Sequence, residues 1–95
     1  MEVLTFNKAD WSGEDITIEV SDDLKFEIND CEFQLVEKEC EQSGMFYDCE
    51  GDDWDEPLFS VFQMRDGTWI AHSYDTSREN KNPVIAAAQL ILFTV

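Results

Sequence analysis

Leu58-Phe59-Ser60-Val61-Phe62-Gln63-Met64-Arg65-Asp66-Gly67-Thr68-Trp69-Ile70-Ala71-His72-Ser73 is the stretch on which the fold turns. Two apolar runs, Leu58–Met64 and Thr68–Ser73, flank Arg65-Asp66-Gly67. Asp-Gly between apolar runs is the strongest short-range signal for an antiparallel hairpin, because Gly takes the positive φ that a tight turn demands. Beyond it, Asn82-Pro83 opens a helix. Asn accepts from the free amides of a first turn, and Pro at the first helical position gives up a donor that had no partner. The residues that follow, Val84–Phe93, are apolar almost all round. Such a helix is buried across a sheet or covered by another chain.

On the N-terminal side the pattern has period two. Ile16, Ile18 and Val20 alternate with Asp15, Thr17 and Glu19. After a Ser21-Asp22-Asp23 turn, Leu24, Phe26 and Ile28 alternate with Lys25 and Glu27. After Asn29-Asp30, Cys31, Phe33 and Leu35 alternate with Glu32 and Gln34, with Glu37 just beyond. Alternation with β-branched and aromatic residues on one side predicts three antiparallel strands in a meander, preceded by a short strand at Val3–Phe6. Residues 39–56, with Gly44, Gly51 and a run of acids, predict an irregular loop around a short strand Met45–Tyr47. The expected fold is α+β: an antiparallel sheet, meander plus Asp-Gly hairpin, packed by one C-terminal helix in a single domain of residues 1–95.

Charge divides the chain. Of the 22 acidic and 6 basic residues behind the net charge of −16, nineteen acids and three lysines (Lys8, Lys25, Lys38) lie in residues 1–56. Residues 57–95 are neutral, with Asp66, Asp75 and Glu79 against Arg65, Arg78 and Lys81. A hydrophobic share of 43% exceeds what a disordered acidic tail carries, so the chain folds in spite of its self-repulsion. The same charge speaks against direct nucleic-acid binding and against an anionic membrane surface, both of which are held by Lys and Arg.

Cys31, Cys40 and Cys49 are spaced nine apart, unlike the close pairs of zinc sites. The start Met1-Glu2-Val3-Leu4 lacks a basic n-region, so reduced thiols in a cytoplasmic protein are expected. Asp48-x-Glu50-x-Asp52 resembles the opening of a calcium loop, but Asp53 and Phe59 stand where that loop requires Gly and a bidentate Glu. His72 is the lone histidine, and Ser60 and Ser73 come with no nucleophile-elbow glycines. Neither an enzyme nor a cofactor is expected.

The acidic surface is the remaining candidate. Asp48, Glu50, Asp52, Asp53, Asp55 and Glu56 surround Trp54, an anchor of the kind that carries interfaces. Outward positions Asp15, Glu19, Glu27, Glu32 and Glu37 extend the surface. Trp11 and Trp69 are assigned to the core. Sixteen net charges match the charge on about 27 Å of DNA duplex axis, at one charge per roughly 1.7 Å.

Gly67-Thr68-Trp69-Ile70-Ala71, followed by Pro83-Val84-Ile85-Ala86-Ala87-Ala88, resembles the ending of small phage-encoded NinX-like proteins. They too set a Trp-containing strand before a Pro-led, alanine-rich helix. By size, acidity and β content the chain is similar to phage-encoded nucleic-acid mimics, a group with inhibitors of restriction enzymes, uracil-DNA glycosylase and CRISPR effectors. That resemblance implies a non-catalytic inhibitor in the cytoplasm of an infected bacterial host. Its partner would be the basic nucleic-acid-binding surface of a defence protein, a CRISPR effector or restriction enzyme. The alternative is a homodimeric structural or assembly protein, paired through Val84–Phe93, whose acidity serves solubility alone.

Overall fold

In a computed structural model, which describes residues 1–8, 13–42, 44–51, 56–73 and 76–94, the chain is an antiparallel β protein closed by one helix. Strands β1 (Glu2–Asn7) and β2 (Asp15–Val20) pair as a two-stranded ribbon. Strands β3 (Lys25–Ile28), β4 (Cys31–Cys40), β5 (Gly44–Gly51), β6 (Phe59–Gln63), β7 (Trp69–Ser73) and β8 (Thr76–Asn80) form a six-stranded sheet in chain order. Helix α1 (Pro83–Thr94) packs on β6, β7 and β8.

The Asp-Gly hairpin is present. Gln63 pairs with Trp69, Met64 and Thr68 close the loop through a 2.7 Å backbone hydrogen bond, and Gly67 takes φ 90°. The Asp66 carboxylate accepts the Thr68 amide at 2.9 Å, and that bond holds its pKa below the usual carboxylate value. The helix starts as its cap residues dictate: Asn82 Oδ1 accepts the amides of Val84 at 2.8 Å and Ile85 at 3.3 Å. Asn29 and Asp30, at φ 51° and 66°, supply the two left-handed residues of a two-residue turn between Ile28 and Cys31.

Two expectations are corrected. Of the predicted three-strand meander over residues 16–35 only the second half forms: β3 pairs with β4, whereas β2 pairs with β1 and the chain leaves the ribbon at 21–24. There Leu24 adopts φ 62°, its amide bonded to the Ser21 carbonyl at 3.0 Å and its carbonyl to the Leu35 amide at 3.1 Å. Period two reports that strands exist, not which of them pair. Second, much of the segment read as irregular loop is strand. β4 runs to Cys40 and β5 covers Gly44–Gly51, with Gly44 at φ 79° where the hairpin turns. Residues 52–55 of that segment lie outside the described residues. Beyond these, the polar stretch Thr76–Asn80 forms β8 at the edge of the sheet, paired with β7 and in contact with α1 although its sequence carries no apolar alternation.

One hydrophobic cluster gathers Phe6, Ile18 and Val20 of the ribbon, Phe26, Ile28, Phe33, Leu35, Cys49, Val61, Trp69 and Ala71 of the sheet, and six helix residues. Trp69 is core as expected; Trp11 lies outside the described residues. The helix spends Val84, Ala86, Ala87, Ala88, Leu90 and Ile91 on this core and leaves Phe93 50% exposed. The Arg78 guanidinium lies over the Phe93 ring at 4.2 Å. Gln89 donates to the Asn7 carbonyl at 2.9 Å and ties the helix to β1.

Candidate functional site

Register decides which side chains share the sheet's solvent face. Phe33, Leu35, Cys49, Val61, Trp69 and Ala71 sit at alternate positions and point into the core. The positions between them form the opposite face, and none of those described is buried. One row across this face runs Val36, Asp48, Ser60, His72, Ser77 over five strands. The next runs Lys38, Phe46, Phe62, Ile70, Glu79. On the other side of Asp48 come Gln34 and Glu50, then Glu27 and Glu32.

Because β3 to β8 lie in chain order, the charge asymmetry along the sequence becomes an asymmetry across the sheet. Glu27 of β3, Glu32 of β4, and Asp48 and Glu50 of β5 occupy one end of the open face, and the neutral strands β6 and β7 the other. Glu27 and Glu32 also line a cleft of about 510 Å³ where β2 and β3 part, together with Glu19 of the ribbon. A second hollow, of about 210 Å³, joins Glu32 to Glu50 beside Lys25 and Gln34. The clefts therefore link Glu19, Glu27, Glu32 and Glu50, and Asp48 continues the acidic surface one side-chain row beyond Glu50.

The other expected residues separate from it. Glu37 has the parity of Phe33 and Leu35 and pairs with Tyr47, so it lies on the core side of β4, exposed because the strand runs past the core. It does not extend the outer surface as expected. Asp15 stands at the far end of β2, opposite Asn7. Glu56 is exposed just before Pro57. Asp52, Asp53, Trp54 and Asp55 lie outside the described residues.

Among the described residues, acids are paired at Lys8–Glu14 (3.8 Å), Lys25–Asp23 (4.0 Å) and the amino terminus with Asp22 (3.6 Å). None of these pairs involves Glu19, Glu27, Glu32, Asp48 or Glu50. Asp23 also accepts the Ser21 hydroxyl, which lowers its pKa. Its ionised form is favoured in the fold.

Asp48, Ser60 and His72 stand side by side, the residue types of a hydrolytic triad. Their order is wrong for one. Ser60 Oγ donates to Asp48 Oδ1 at 2.8 Å, so its proton is directed at the carboxylate and not at an imidazole base. Cys49 is sealed at 0% exposure, and burial, reinforced by the charges of Glu50 and Asp48, pushes its thiol up to about 12. That removes it as a nucleophile at neutral pH. Among the described residues no cluster of His, Cys, Asp and Glu has the geometry to hold a metal ion, and no helix is long and apolar enough to cross a membrane.

Sequence reasoning missed the row Phe46, Phe62, Ile70 on the open face. Phe46 and Phe62 stack with ring centroids 5.1 Å apart, and Phe62 is 38% exposed. The available signal was that Leu58–Met64 is apolar on both parities, with Val61 and Phe62 adjacent. No protein-family model, curated protein or solved structure matches the chain, which leaves fold, charge and side-chain placement to carry the functional reading.

Proposed function

We propose that this protein is a non-catalytic acidic inhibitor. It would occupy the positively charged nucleic-acid-binding surface of another protein as a nucleic-acid mimic, with a CRISPR effector or restriction enzyme as the class of target. The observation that carries this reading is the acidic face of Glu19, Glu27, Glu32 and Glu50, joined through two adjoining clefts, with Asp48 one side-chain row beyond Glu50, and with none of the five in an ion pair among the described residues. Fixed carboxylates on a rigid sheet accelerate encounter with a Lys- and Arg-lined groove, and the attraction weakens with salt. The large negative charge opposes a phosphate backbone and favours its basic binders.

The test is capture from a bacterial lysate at low salt, followed by a salt gradient. Nucleic-acid-binding proteins are expected on the native protein and released by salt, and a variant carrying E27Q, E32Q, D48N and E50Q is expected to lose them. Equal capture by the variant overturns the proposal.

A further inference from the structure

We propose that the open face of the six-stranded sheet is a docking platform for one basic amphipathic helix of the partner protein, laid across the strands along Phe46, Phe62 and Ile70. This rests on the reading of the protein as a binder of basic surfaces and assigns the contact to a particular face. An antiparallel sheet with one solvated face presents polar side chains there. This one presents three consecutive apolar side chains on three adjacent strands, with Val36 in the neighbouring row. The stacked Phe46–Phe62 pair leaves Phe62 38% exposed.

Spacing argues for a helix. Adjacent strands lie about 4.8 Å apart, so the three apolar positions span about 10 Å. Residues i, i+4 and i+7 of a helix advance by about 10.5 Å, at 1.5 Å per residue, and share one face. A helix across the strands therefore seats one apolar residue on each of β5, β6 and β7. Charge chooses its sequence. On one flank of the row stand carboxylates: Asp48 one side-chain row away, at roughly 6.7 Å, and Glu50 two rows away. A helix about 10 Å wide centred on the row reaches about 5 Å to that side, so long side chains on its flank meet Asp48 and extend towards Glu50. Lys and Arg are the residues that satisfy them.

The other occupants of such a face fit poorly. A second copy would bring another −16 against the first. Exposed aromatics on an open sheet also suit the stacking of single-stranded bases, but that stacking works together with a basic groove for the phosphates. Here the face carries Asp48, Glu50, Glu27, Glu32 and Glu79 against Lys25 on β3 and Lys38, which stands beside Phe46 at one end of the row.

The probes are a synthetic amphipathic Leu/Lys helix of about 18 residues and a scrambled peptide of identical composition, titrated into the isotopically labelled protein at about 0.15 M NaCl. The amphipathic peptide is expected to bind about tenfold more tightly than the scrambled one, with amide shifts centred on Val36, Phe46, Phe62 and Ile70. F62T with I70T is expected to equalise the two peptides and leave the scrambled peptide's affinity unchanged. The shift map on the unaltered protein stands independently of whether that variant folds. Equal affinities in the native protein, or shifts centred on α1 near Phe93, overturn the docking platform while the charge reading survives. Failure of both peptides to bind sinks the charge reading and the platform together. Binding of a single-stranded oligonucleotide to the same face overturns the platform as a site for a basic helix.

Discussion

Val61 and Phe62 are neighbours on β6, yet one is sealed in the core and the other is 38% open to solvent. The two faces of the sheet differ in the same way throughout. On the inner face Leu35 pairs with Cys49 and Val61 with Ala71 beneath a helix and a ribbon, and the charges of that face, Glu37 and Arg78, stand at the two ends of the Val61 row. On the outer face carboxylates and aromatic rings stand side by side, and none of the positions described there is buried. Burial accounts for the first pattern completely, since apolar area removed from water drives the fold. It does not account for the second, because solvent gives Phe46, Phe62 and Ile70 no reason to gather. The inner face is where stability resides, and the outer face is where a partner is to be sought.

The sharpest way to break the comparison is thiol chemistry. A thiol at about 12 holds roughly a thousandth of the thiolate it would have at 9.0, and thiolate is the reactive form. The exposed Cys31 and Cys40 are therefore expected to label in the folded protein, and Cys49 only after denaturation; mass spectrometry counts the adducts. Linkage gives the sign for stability. The unfolded thiol ionises near 9.0 while the folded one stays protonated towards about 12, so stability is lost as pH climbs through that window. Denaturant titrations at stepped pH, with Cys49→Ala as the flat control, check it.

A smaller effect separates the two faces directly. Val61→Ala removes fully buried methyls and is expected to cost about 2 kcal/mol in urea unfolding. Phe62→Thr deletes more atoms but is expected to cost only about 1 kcal/mol, most of it the stack on Phe46. Equal losses would show that the outer row is a second core and not a binding face. Asn82→Ala removes the acceptor for two helix amides, at an expected cost of about 1 kcal/mol, and tests how far the inner face depends on the helix being held. Smallest is the effect of salt alone. Shortening the screening length from roughly 30 Å at 0.01 M to about 10 Å at 0.1 M is expected to raise the melting temperature by a few degrees, because it relieves repulsion among outer carboxylates. A melting temperature that falls with salt would mean that those carboxylates attract more than they repel.

Local signals read correctly wherever chemistry and neighbours in sequence decide the conformation. Asp66-Gly67 made its hairpin and Asn82-Pro83 its helix start, and the alternating segments became strands with Ile18, Val20, Phe26, Ile28, Phe33 and Leu35 buried as expected, while Leu24 fell in the turn before β3 and Cys31 is exposed. The acids at Glu19, Glu27, Glu32, Asp48 and Glu50 were legible as a group because charge density is a property of composition. Pairing was not legible. Nothing in the alternation of 16–20 and 24–28 says that β2 turns back to β1 and that the chain crosses to a second sheet at Leu24. Nor does Thr76–Asn80 announce a strand, since its sequence carries no apolar alternation.

The sequence by itself determined the local turns, the helix and the charge asymmetry between halves, because each depends on a few adjacent residues or on composition. Tertiary structure alone decided that strands laid down in chain order turn that asymmetry into one end of a single open face. It alone aligned Phe46, Phe62 and Ile70 from three strands, whereas Glu37, an odd number of residues from Glu32, falls on the opposite side of β4 by parity once the strand runs on to Cys40. The physical reason is register: side chains repeat every two residues along a strand, so which strand lies beside which, and at what offset, decides the company each one keeps.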